Sequence, residues 1–380
     1  MFSSLDNFMS VTQKEIADKL NISRSLVARA LKGYDEVSPV TRQRVEEAAR
    51  EMGYDINSNQ AARSLIAKRY GQKARTGVIA VAFPPLVSPS PHHMVFFAPL
   101  LKGLEREAAA SGMEIFTFNV RLGELPRMIR EGNVDGVISI GFPPQDVAAI
   151  RALGLPVVTY QSVCPDAHSL MAEDRRGAYL TSRHLLELGH REIAYLGVTL
   201  KYQNGLTDEL RFQGYQDALT EFDVPLREEW INTSLPFPDT SSHKYCSGCG
   251  KCAACIGWQT LKMQSGADGN NHPPFTAMVC YHDPIAMGVI EHASEDGMSV
   301  PQDLSVVGFD NVSHLYHFEP HVTSISFDRE EMGRAAMRLL CKEPEETSVQ
   351  HLEFPVKLEV HGSTAAPAMK RAQGELAYAK

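Results

Sequence analysis

The chain has 380 residues, of which 43% are hydrophobic and 22% are charged, values typical of a soluble globular protein. This length exceeds one ordinary domain and predicts two or three. No apolar run reaches the roughly 20 residues of a membrane helix, and the N-terminus lacks the basic start and apolar core of a secretory signal. We therefore expect a cytoplasmic protein with no membrane partner.

The charge is unevenly distributed along the chain. The formal net charge is −9, which by itself argues against nucleic-acid binding. Residues 1–75, however, carry 13 Lys+Arg against 9 Asp+Glu, a net of +4, and the remainder carries a net of −13. A basic head on an acidic body is typical of a modular DNA-binding protein, although so mild an excess can also arise by chance.

Three short helices are predicted within the first 55 residues. Thr12 and Glu15 form a capping-box pattern before the first helix, Ser23 is the expected N-cap of the second, and Ser38-Pro39 starts the third. Two short helices joined by a tight turn predict a helix-turn-helix unit, whose second helix reads base edges in the major groove of DNA.

The second helix would bury its apolar residues and leave Arg24, Ser25 and Arg29 on its outer face. Arginine can read guanine through two hydrogen bonds. The backbone amides at Thr12 and Ser23 would lie at helix N-termini, where they can hold phosphates. The alternative is an ordinary three-helix bundle with solvated arginines.

From residue 77 onward, short β-branched runs alternate with amphipathic stretches. The runs predict strands at 77–83, 114–120, 135–142, 156–161, 192–198, 275–281 and 305–310. The stretches predict helices at 100–111, 176–188, 208–222, 284–295 and 330–340. This alternation predicts parallel sheets with helices on both faces, and its length suits two α/β lobes better than one.

Three motifs of the head carry a family resemblance. They read Val11-Thr12-x-x-Glu15-Ile16-Ala17, Ile22-Ser23-x-x-x-Val27-x-Arg29-x-Leu31 and Val37-Ser38-x-x-Thr41-Arg42-x-x-Val45. This pattern resembles the LacI/GalR family of bacterial repressors. The resemblance implies an all-α helix-turn-helix DNA-binding head at 1–56, a hinge helix and linker at 57–76, and an α/β two-lobed, periplasmic-binding-protein-like domain at 77–365 that binds effector and dimerises, before a C-terminal tail at 366–380.

The linker and the reading helix differ in detail from the family pattern. Ala61-Ala62-Arg63-Ser64-Leu65 resembles the family's hinge helix, which implies that Ala62 and Leu65 contact the minor groove and that Leu65 wedges into the central base step. A solvent-exposed leucine is the alternative, because the family's proline before the hinge is missing. Leu26-Val27-Ala28-Arg29 stands for the usual Thr-Val-Ser-Arg, and Asn21 for a usual glycine.

Four segments of the body resemble the effector domain of the same family. They are Phe96-Phe97-Ala98-x-Leu100-Leu101-x-Gly103, Gly177-Ala178-Tyr179-Leu180 with the segment to Arg191, Arg211-Phe212-x-Gly214-Tyr215, and Val300-Pro301-x-Asp303 continuing to Phe309-Asp310. The resemblance implies a small-molecule effector, a sugar or sugar derivative, bound in a cleft between the two lobes.

The chemistry of these residues suits a polyol. Asp310, at the carboxyl end of a strand, would accept hydrogen bonds from hydroxyls. Arg211 would donate hydrogen bonds to hydroxyls or neutralise an acid or phosphate, and Phe96 or its neighbour Phe97 would stack on a sugar face. An Asx turn, a surface ion pair and a core residue are the respective alternatives. The resemblance adds four further candidate contacts: Gln161, Phe237, His282 and Asp283. His282-Asp283 stands where the family usually has Asn-Asp.

A four-cysteine motif has no counterpart in the family pattern. It lies in an apparent insertion at about 241–256 and consists of Cys246, Cys249, Cys252 and Cys255. Four thiols at this spacing can wrap a tetrahedral Zn²⁺. An iron–sulfur cluster fits less well, because the fourth spacing and the missing proline do not match, and a redox-inert or disulfide-forming loop is the alternative. We predict a structural zinc and no cofactor for the core function.

The sequence therefore predicts a DNA-binding transcriptional regulator, a repressor, whose operator affinity is controlled by an effector. It would act as a homodimer or higher oligomer, because two heads are needed to read two half-sites of double-stranded operator DNA. A metal- or redox-sensing repressor of the same fold is the alternative. An exported solute-binding protein is disfavoured by the head. An enzyme is disfavoured because no catalytic triad, phosphate loop or Rossmann fingerprint is present, so we predict no catalytic residues.

Overall fold

The structure, a computed structural model, describes residues 11–31, 34, 36–52, 54, 76–83, 91–119, 124–198, 206–233, 253–265, 272–341 and 348–368. The chain divides into two compact units, Met1–Gly77 and Val78–Lys380. Several residues singled out in the sequence lie outside the described part of the chain: Ala62, Leu65, Phe237, Cys246, Cys249 and Cys252.

The first unit contains the three predicted helices, α1 (Gln13–Leu20), α2 (Arg24–Leu31) and α3 (Pro39–Glu51). Thr12 and Glu15 form a complete capping box at the start of α1, and the Ser23 hydroxyl accepts a hydrogen bond from the amide of Leu26 at 3.2 Å. Both capping predictions are confirmed. Each cap satisfies helix amides that have no partner within the helix.

Buried residues from all three helices form the core of this unit, among them Ile16, Val27 and Val45. Asn21 ends α1 in the left-handed conformation with φ 53°. Asparagine tolerates this region better than other residues with a side chain. The replacement of the family's usual glycine by Asn21 is therefore compatible with the same tight turn between α1 and α2.

The second unit is built from twelve strands and eight helices within its described residues. The strands are β1 (Val78–Phe83), β2 (Glu114–Asn119), β3 (Gly136–Ile140), β4 (Val157–Tyr160), β5 (His168–Ala172), β6 (Ile193–Leu196), β7 (Ile231–Asn232), β8 (Ala277–Cys280), β9 (Ser305–Val307), β10 (Ser324–Phe327), β11 (His351–Phe354) and β12 (Val356–Glu359). The helices are α4 (Pro91–Ala110), α5 (Arg127–Arg130), α6 (Pro144–Ala152), α7 (Asp174–Glu187), α8 (Leu206–Glu221), α9 (Ala253–Ser265), α10 (Asp283–Glu295) and α11 (Arg329–Cys341).

Two separate parallel sheets confirm the predicted two-lobed α/β architecture. The first lobe has six strands in the order β11-β5-β4-β3-β1-β2, and the second has four in the order β7-β6-β8-β9. β10 and β12 form an additional antiparallel pair. The carboxyl ends of parallel strands share one edge of each sheet, which is where open α/β sheets bind ligands.

The chain crosses between the lobes three times. It leaves the first sheet after β5 and enters α7, whose Leu185 packs in the second lobe with residues of α8. It returns through β10 to α11, which packs on α4 so closely that a Cβ atom on Gly103 would lie 1.9 Å from the carbonyl oxygen of Glu330. After β11 and β12 it ends beside β9, where the Ser363 hydroxyl donates to the Val306 carbonyl.

Candidate functional site

The first unit presents on its surface the five residues of the head that were predicted to contact DNA: Thr12, Ser23, Arg24, Ser25 and Arg29 are all exposed. On the opposite face of α2, Val27 and Ala30 are buried. α2, the helix predicted to read DNA, is therefore amphipathic: one face packs in the core of the head, and the other is free to enter a groove of DNA.

Two contacts within the head affect the availability of these groups. The backbone amide of Thr12 donates to the Glu15 carboxylate at 2.6 Å as part of the capping box. The sequence led us to expect that this amide holds a phosphate, but in this structure it is occupied by Glu15. Nη1 of Arg29 lies 3.5 Å from the carboxylate of Glu36. Exposed ion pairs of this kind contribute little, so DNA can displace this one.

In the second unit, Arg211 of α8 is the centre of a buried charged cluster and is only 3% exposed. Its Nε donates to Oδ1 of Asp174 at 2.8 Å, and its Nη1 donates to the carbonyl oxygen of Tyr281 at 2.6 Å. Its Nη2 lies 3.9 Å from Oδ1 of Asp310. The guanidinium also stacks over the ring of Phe309 at 3.6 Å. Arg211 and Asp310, predicted as effector contacts from separate motifs, are thus neighbours.

Asp310 follows β9 in an unusual backbone conformation. Its φ is 97° and that of Asn311 is 50°, a region that residues with a side chain rarely adopt. The Asp310 carbonyl accepts a hydrogen bond from Nη1 of Arg329 at 2.7 Å. Strained backbone of this kind is found most often at binding and catalytic sites, where surrounding contacts hold it in place.

Asp283 supplies those contacts from beneath. It is 0% exposed, and its Oδ2 accepts hydrogen bonds from the amides of Val312 and Ser313 at 2.6 and 3.3 Å. Its Oδ1 accepts from the hydroxyl of Ser324 at 2.5 Å. Asp283 therefore supports the loop that carries Asp310 and offers no exposed oxygen to a ligand in this structure.

His282 and Gln161 lie at the carboxyl ends of strands, as expected for the cleft. His282 follows β8 and caps α10, because its Nδ1 accepts a hydrogen bond from the amide of Ile285 at 3.2 Å. Gln161 follows β4, is partly exposed, and has the left-handed φ of 55°. An imidazole at the position of the family's usual asparagine can cap a helix in the same way but has a different shape toward any ligand.

Aromatic side chains of the first lobe lie close to this cluster. Phe96 of α4, in the first lobe, meets Phe327 edge-to-face with ring centroids 6.4 Å apart. The guanidinium of Arg329 lies 4.9 Å from the centroid of the Phe96 ring. Since Arg329 also binds the Asp310 carbonyl, the structure brings Phe96 near the residues of the second lobe that were predicted to contact the effector.

The cluster contains four buried polar atoms that have no hydrogen-bond partner among the described residues. They are Oδ2 of Asp174, Oδ1 of Asp310, the hydroxyl of Tyr160 and Nε of Arg329. About nine in ten buried polar groups in proteins do have such a partner. Unsatisfied groups concentrated at one place therefore mark a site that a ligand can complete.

Burial dominates the electrostatics of this cluster. It raises the pKa of Asp174 and of Asp310, and it raises the pKa of the Tyr160 hydroxyl, which also responds to the charges of Arg329 and Asp310. Burial alone would lower the pKa of Arg211, but the neighbouring carboxylates, Asp174 foremost, outweigh it and raise that pKa. Arg211 therefore stays charged.

Sequence reasoning missed Asp174, Tyr160 and Arg329. Asp174 stands three residues before the recognised Gly177 motif, and as the first residue of a helix it resembles any acidic residue placed to favour the helix dipole. Tyr160 ends a buried strand and Arg329 starts a helix. The available signal was the position of Asp174 and Tyr160 at or just after the carboxyl ends of β5 and β4.

We expect replacement of Asp283 by asparagine to change how stability depends on pH. Burial raises the pKa of Asp283 to about 7, above its value in the unfolded chain, so the folded state binds the extra proton. The wild type then loses stability as pH rises from the pKa of the unfolded chain to that of the folded state. Relative to wild type, D283N should become progressively more stable between about pH 4 and 7. Urea unfolding across that range tests this, and a constant difference between the two proteins would contradict it.

Of the four-cysteine motif, Cys255 lies within the described residues, in the first turn of α9. Its Sγ is 2.8 Å from Nε2 of His292. Among the residues that the structure describes, no group of three or more His, Cys, Asp and Glu side chains is placed to hold a metal ion. The zinc site therefore remains a prediction.

Among the residues that the structure describes, no helix is both long and apolar enough to span a bilayer.

A helix-turn-helix head joined to a two-lobed α/β body defines a class of DNA-binding transcriptional regulators. The family model described as bacterial regulatory proteins, lacI family, matches residues 12–57. That of periplasmic binding proteins and sugar binding domain of LacI family matches 85–237, and that of the periplasmic binding protein-like domain matches 182–364. The chain belongs to the LacI family of bacterial transcriptional regulators, as its motifs predicted.

Relatives match over nearly the whole chain. The HTH-type transcriptional regulator RegA of Clostridium saccharobutylicum is 28% identical over 88% of this chain and 92% of its own. Catabolite control protein A of Priestia megaterium is 27% identical over 94% of this chain and 100% of its own. RegA is by name a transcriptional regulator, in agreement with the family of this chain.

Solved structures share the fold. The Lac repressor dimer bound to operator and the anti-inducer ONPF has a TM-score of 0.66 at 22% identity and covers 94% of this chain and 100% of its own. A complex of the transcriptional regulator CelR with cellobiose has a TM-score of 0.63 at 23% identity and covers 93% and 99%.

Proposed function

We propose that this regulator is a repressor whose operator affinity is controlled by a neutral, polyhydroxylated effector, a sugar or sugar derivative, bound at the Arg211 cluster. The observation that carries the proposal is the set of unsatisfied buried atoms on Asp174, Asp310, Tyr160 and Arg329. Hydroxyl groups both donate and accept hydrogen bonds, so a polyol can satisfy carboxylate oxygens and a guanidinium N–H together.

Charge balance favours a neutral ligand over an anionic one. The charges of two carboxylates, Asp174 and Asp310, are balanced by two guanidiniums: Arg211 lies beside both, and Arg329 acts on Asp310. Arg211 is already paired with Asp174, so a phosphate or carboxylate ligand would have to displace that buried partner. The carboxylate oxygens that accept no hydrogen bond, Oδ2 of Asp174 and Oδ1 of Asp310, instead require donors. The CelR structure, solved with cellobiose, supports the same ligand class.

The proposed regulator binds double-stranded operator DNA as a homodimer or a higher oligomer. The Lac repressor structure, a dimer on operator, supports this assembly, and two heads match the two half-sites of a pseudo-palindrome. The proposed DNA contacts are Thr12, Ser23, Arg24, Ser25 and Arg29, with Ala62 and Leu65 at the hinge. Effector binding needs a coupling of only ~1–3 kcal/mol to act as a switch.

Thermal unfolding of the full chain tests the effector. We expect one or more neutral sugars to raise the melting temperature, since a ligand at 100 times its Kd adds about 2.7 kcal/mol, and to change affinity for operator DNA. D310N should lose this effect, whereas the control D303N, at an exposed aspartate of the same motif, should keep it. A panel in which only sugar phosphates or other anions stabilise the protein would refute the neutral ligand.

We further infer that operator binding needs no cofactor and that the protein carries no catalytic residues, which its relatives among transcriptional regulators support. The cysteine motif is then accounted for by a structural Zn²⁺ bound by thiolates of Cys246, Cys249, Cys252 and Cys255. The contact of Cys255 with His292 favours this over a motif without a role.

A further inference from the structure

We propose that His361 is a positioning residue of the effector site: through the side chain of Asn311 it holds the turn that carries Asp310, and its hold weakens when protons bind to a cluster that it forms with His314 and His321. The inference rests on the proposed function, because it assigns a regulation by pH to the same effector site. Histidine is the side chain whose ordinary pKa lies within the physiological range, so such a cluster can respond to small changes of pH.

His361 contacts the turn directly. Its Nε2 lies 3.2 Å from Oδ1 of Asn311, a residue 50 positions away in the chain. An amide oxygen only accepts hydrogen bonds, so the imidazole donates from Nε2. Asn311 follows Asp310, and their φ values are 50° and 97°. Residues with a side chain keep this conformation only where surrounding contacts hold them, and His361 supplies one of those contacts.

His361 also joins two of the segments that cross between the lobes. It follows β12, on the segment that leads to Ser363 beside β9. Its amide donates to the hydroxyl of Thr323 at 2.9 Å, and that hydroxyl donates to the carbonyl oxygen of His361 at 3.2 Å. Thr323 directly precedes β10, which begins another crossing. A change at His361 is therefore placed to affect both crossing segments and the turn after β9.

Three imidazoles converge at this point. The rings of His321 and His361 are perpendicular, with centroids 6.2 Å apart. Nδ1 of His321 donates to the carbonyl oxygen of Phe318 at 2.7 Å, which fixes the ring. His314 is the third member: burial lowers its pKa, and the positive charges of His321, His361 and Arg329 lower it further. The three rings therefore interact electrostatically, and each proton bound makes the next one less favourable.

The carboxylates beside the cluster do not cancel this repulsion. Oε1 of Glu319 lies 3.5 Å from Nδ1 of His321, but the Glu319 side chain is 76% exposed, so solvent screens the pair. Glu359 is paired with Lys357 at 3.0 Å, and this pairing does more than the charge of His361 to lower the pKa of Glu359. Both carboxylates are therefore weak counter-charges for the imidazoles.

Arg329 adds a permanent positive charge. Its Nη1 donates to the carbonyl oxygen of Asp310 at 2.7 Å, which places the guanidinium at the turn, and its charge contributes to the lowered pKa of His314. Two protonated imidazoles at the ring separation of 6.2 Å disfavour each other about 3- to 100-fold, for an effective dielectric constant between about 80 and 20. The folded turn thus resists a second proton.

The direction of the pH effect follows from the shift at His314. Because its pKa is lowered in the folded protein, the unfolded chain binds the proton more readily, at the ordinary pKa of about 6.5. The turn is therefore most stable above about pH 6.5 and loses stability as pH falls through that value. Opening of the turn separates the rings and displaces Asp310, so the effector should bind more weakly in acid.

Hydrogen exchange of the full chain, read by mass spectrometry, measures the hold on the turn without any effector. The amide of Asn311 donates to the hydroxyl of Ser324 at 3.0 Å, and that of Asp310 to the carbonyl oxygen of Ile325 at 2.9 Å, so both amides report opening of the turn. After correction for the intrinsic effect of pH, protection of peptides that contain residues 310–312 should be about 3- to 100-fold lower at about pH 5.5 than at about pH 7.5. Amides of β4 should show no such change.

Two variants of His361 separate the hydrogen bond from the charge. Glutamine can donate from its side-chain amide to Asn311 but does not titrate. H361Q should therefore keep wild-type protection at about pH 7.5 and lose most of the dependence on pH. H361A should lose protection of the turn at both pH values. In H361Q the pKa of His314, measured by NMR, should rise, because one of the charges that lower it is gone.

H317N is the matched control. His317 is an exposed histidine of the same loop, and its left-handed φ of 53° is one that asparagine tolerates, so this variant should show the wild-type dependence on pH. A wild type whose protection does not change with pH, an H361Q protein that keeps the change, or an H361A turn protected like the wild type would overturn the inference. A change of equal size in β4 would overturn it too, because it would report global unfolding.

The response to neutral sugars, measured in parallel at about pH 7.5, tests the proposed function separately. A protein that responds to no sugar, but whose turn shows the expected dependence on pH and on His361, would refute the proposed effector and leave the hold of His361 on the turn intact.

Discussion

Replacement of Arg211 by methionine should lower the free energy of unfolding of the second unit by about 3–5 kcal/mol, since one partner of a buried ion pair leaves the other charge uncompensated. Asp174, which is almost fully buried, would lose its cation, and Asp310 would lose one of the two that act on it. Methionine keeps most of the side-chain length, so lost packing is a minor part of the effect. Urea unfolding followed by tryptophan fluorescence measures it, because both tryptophans, Trp230 and Trp258, lie in this unit.

Arg175 provides the matched control for Arg211. It makes two hydrogen bonds to Asp217, at 2.7 and 2.9 Å, but its side chain is 56% exposed. R175M should unfold close to wild type, because solvent screens an exposed pair. Equal losses in R175M and R211M would show that burial does not set the strength of the Arg211 pair.

The loss in R211M should depend on pH and on Asp174. Without the guanidinium, burial raises the pKa of Asp174 and Asp310 further above their unfolded values, so stability is retained at low pH and lost as pH rises. R211M should therefore be least destabilised near pH 4. The double variant R211M/D174N should recover part of the loss, because residues that share a buried pair are not additive. A double variant as unstable as the sum of its single variants would contradict the pairing.

The sequence predicted those parts of the fold that local pattern determines. Seven predicted strands are present, because each is a β-branched run between clear breaks. Their bounds agree within two residues, except that the strand predicted to end at residue 310 ends at Val307. β5, β7, β10, β11 and β12 were missed. All five are short, and β10, β11 and β12 also depend on pairing between segments far apart in sequence. The helix predicted from residue 100 begins at Pro91 and passes through Pro99, a residue that normally marks a helix boundary.

The sequence predicted only those residues of the candidate site that lie in a recognised family motif. Arg211 and Asp310 were identified from separate motifs. Nothing in their spacing showed that the guanidinium of Arg211 would contact Asp310, Asp174 and the carbonyl of Tyr281 together. Asp283 was predicted as a ligand contact and instead holds the backbone after Asp310. Whether a carboxylate faces a ligand or the backbone depends on its burial and on partners distant in sequence. The hydrophobic pattern of the sequence gives no information on either.

Replacement of Arg24 or of Arg29 by alanine should weaken operator binding by about 2–6 kcal/mol in the proposed homodimer, since a bidentate base contact contributes about 1–3 kcal/mol and a dimer has two. Both side chains are exposed and outside the core of the head, so the fold should survive, as circular dichroism can verify. A duplex selected from a random-sequence library by the wild-type chain serves as the operator, with affinity measured by fluorescence anisotropy.

R50A is the control, because Arg50 is an exposed arginine on the last turn of α3, outside the reading helix. It removes the same charge and should change operator affinity far less. Salt dependence then separates base reading from phosphate contact. A lost base contact relaxes sequence preference at one position of each half-site, whereas a lost phosphate contact weakens all sequences alike and lowers the salt slope by about 1. Equal losses in R24A, R29A and R50A, with unchanged sequence preference, would mean that α2 supplies charge to the DNA and does not read it.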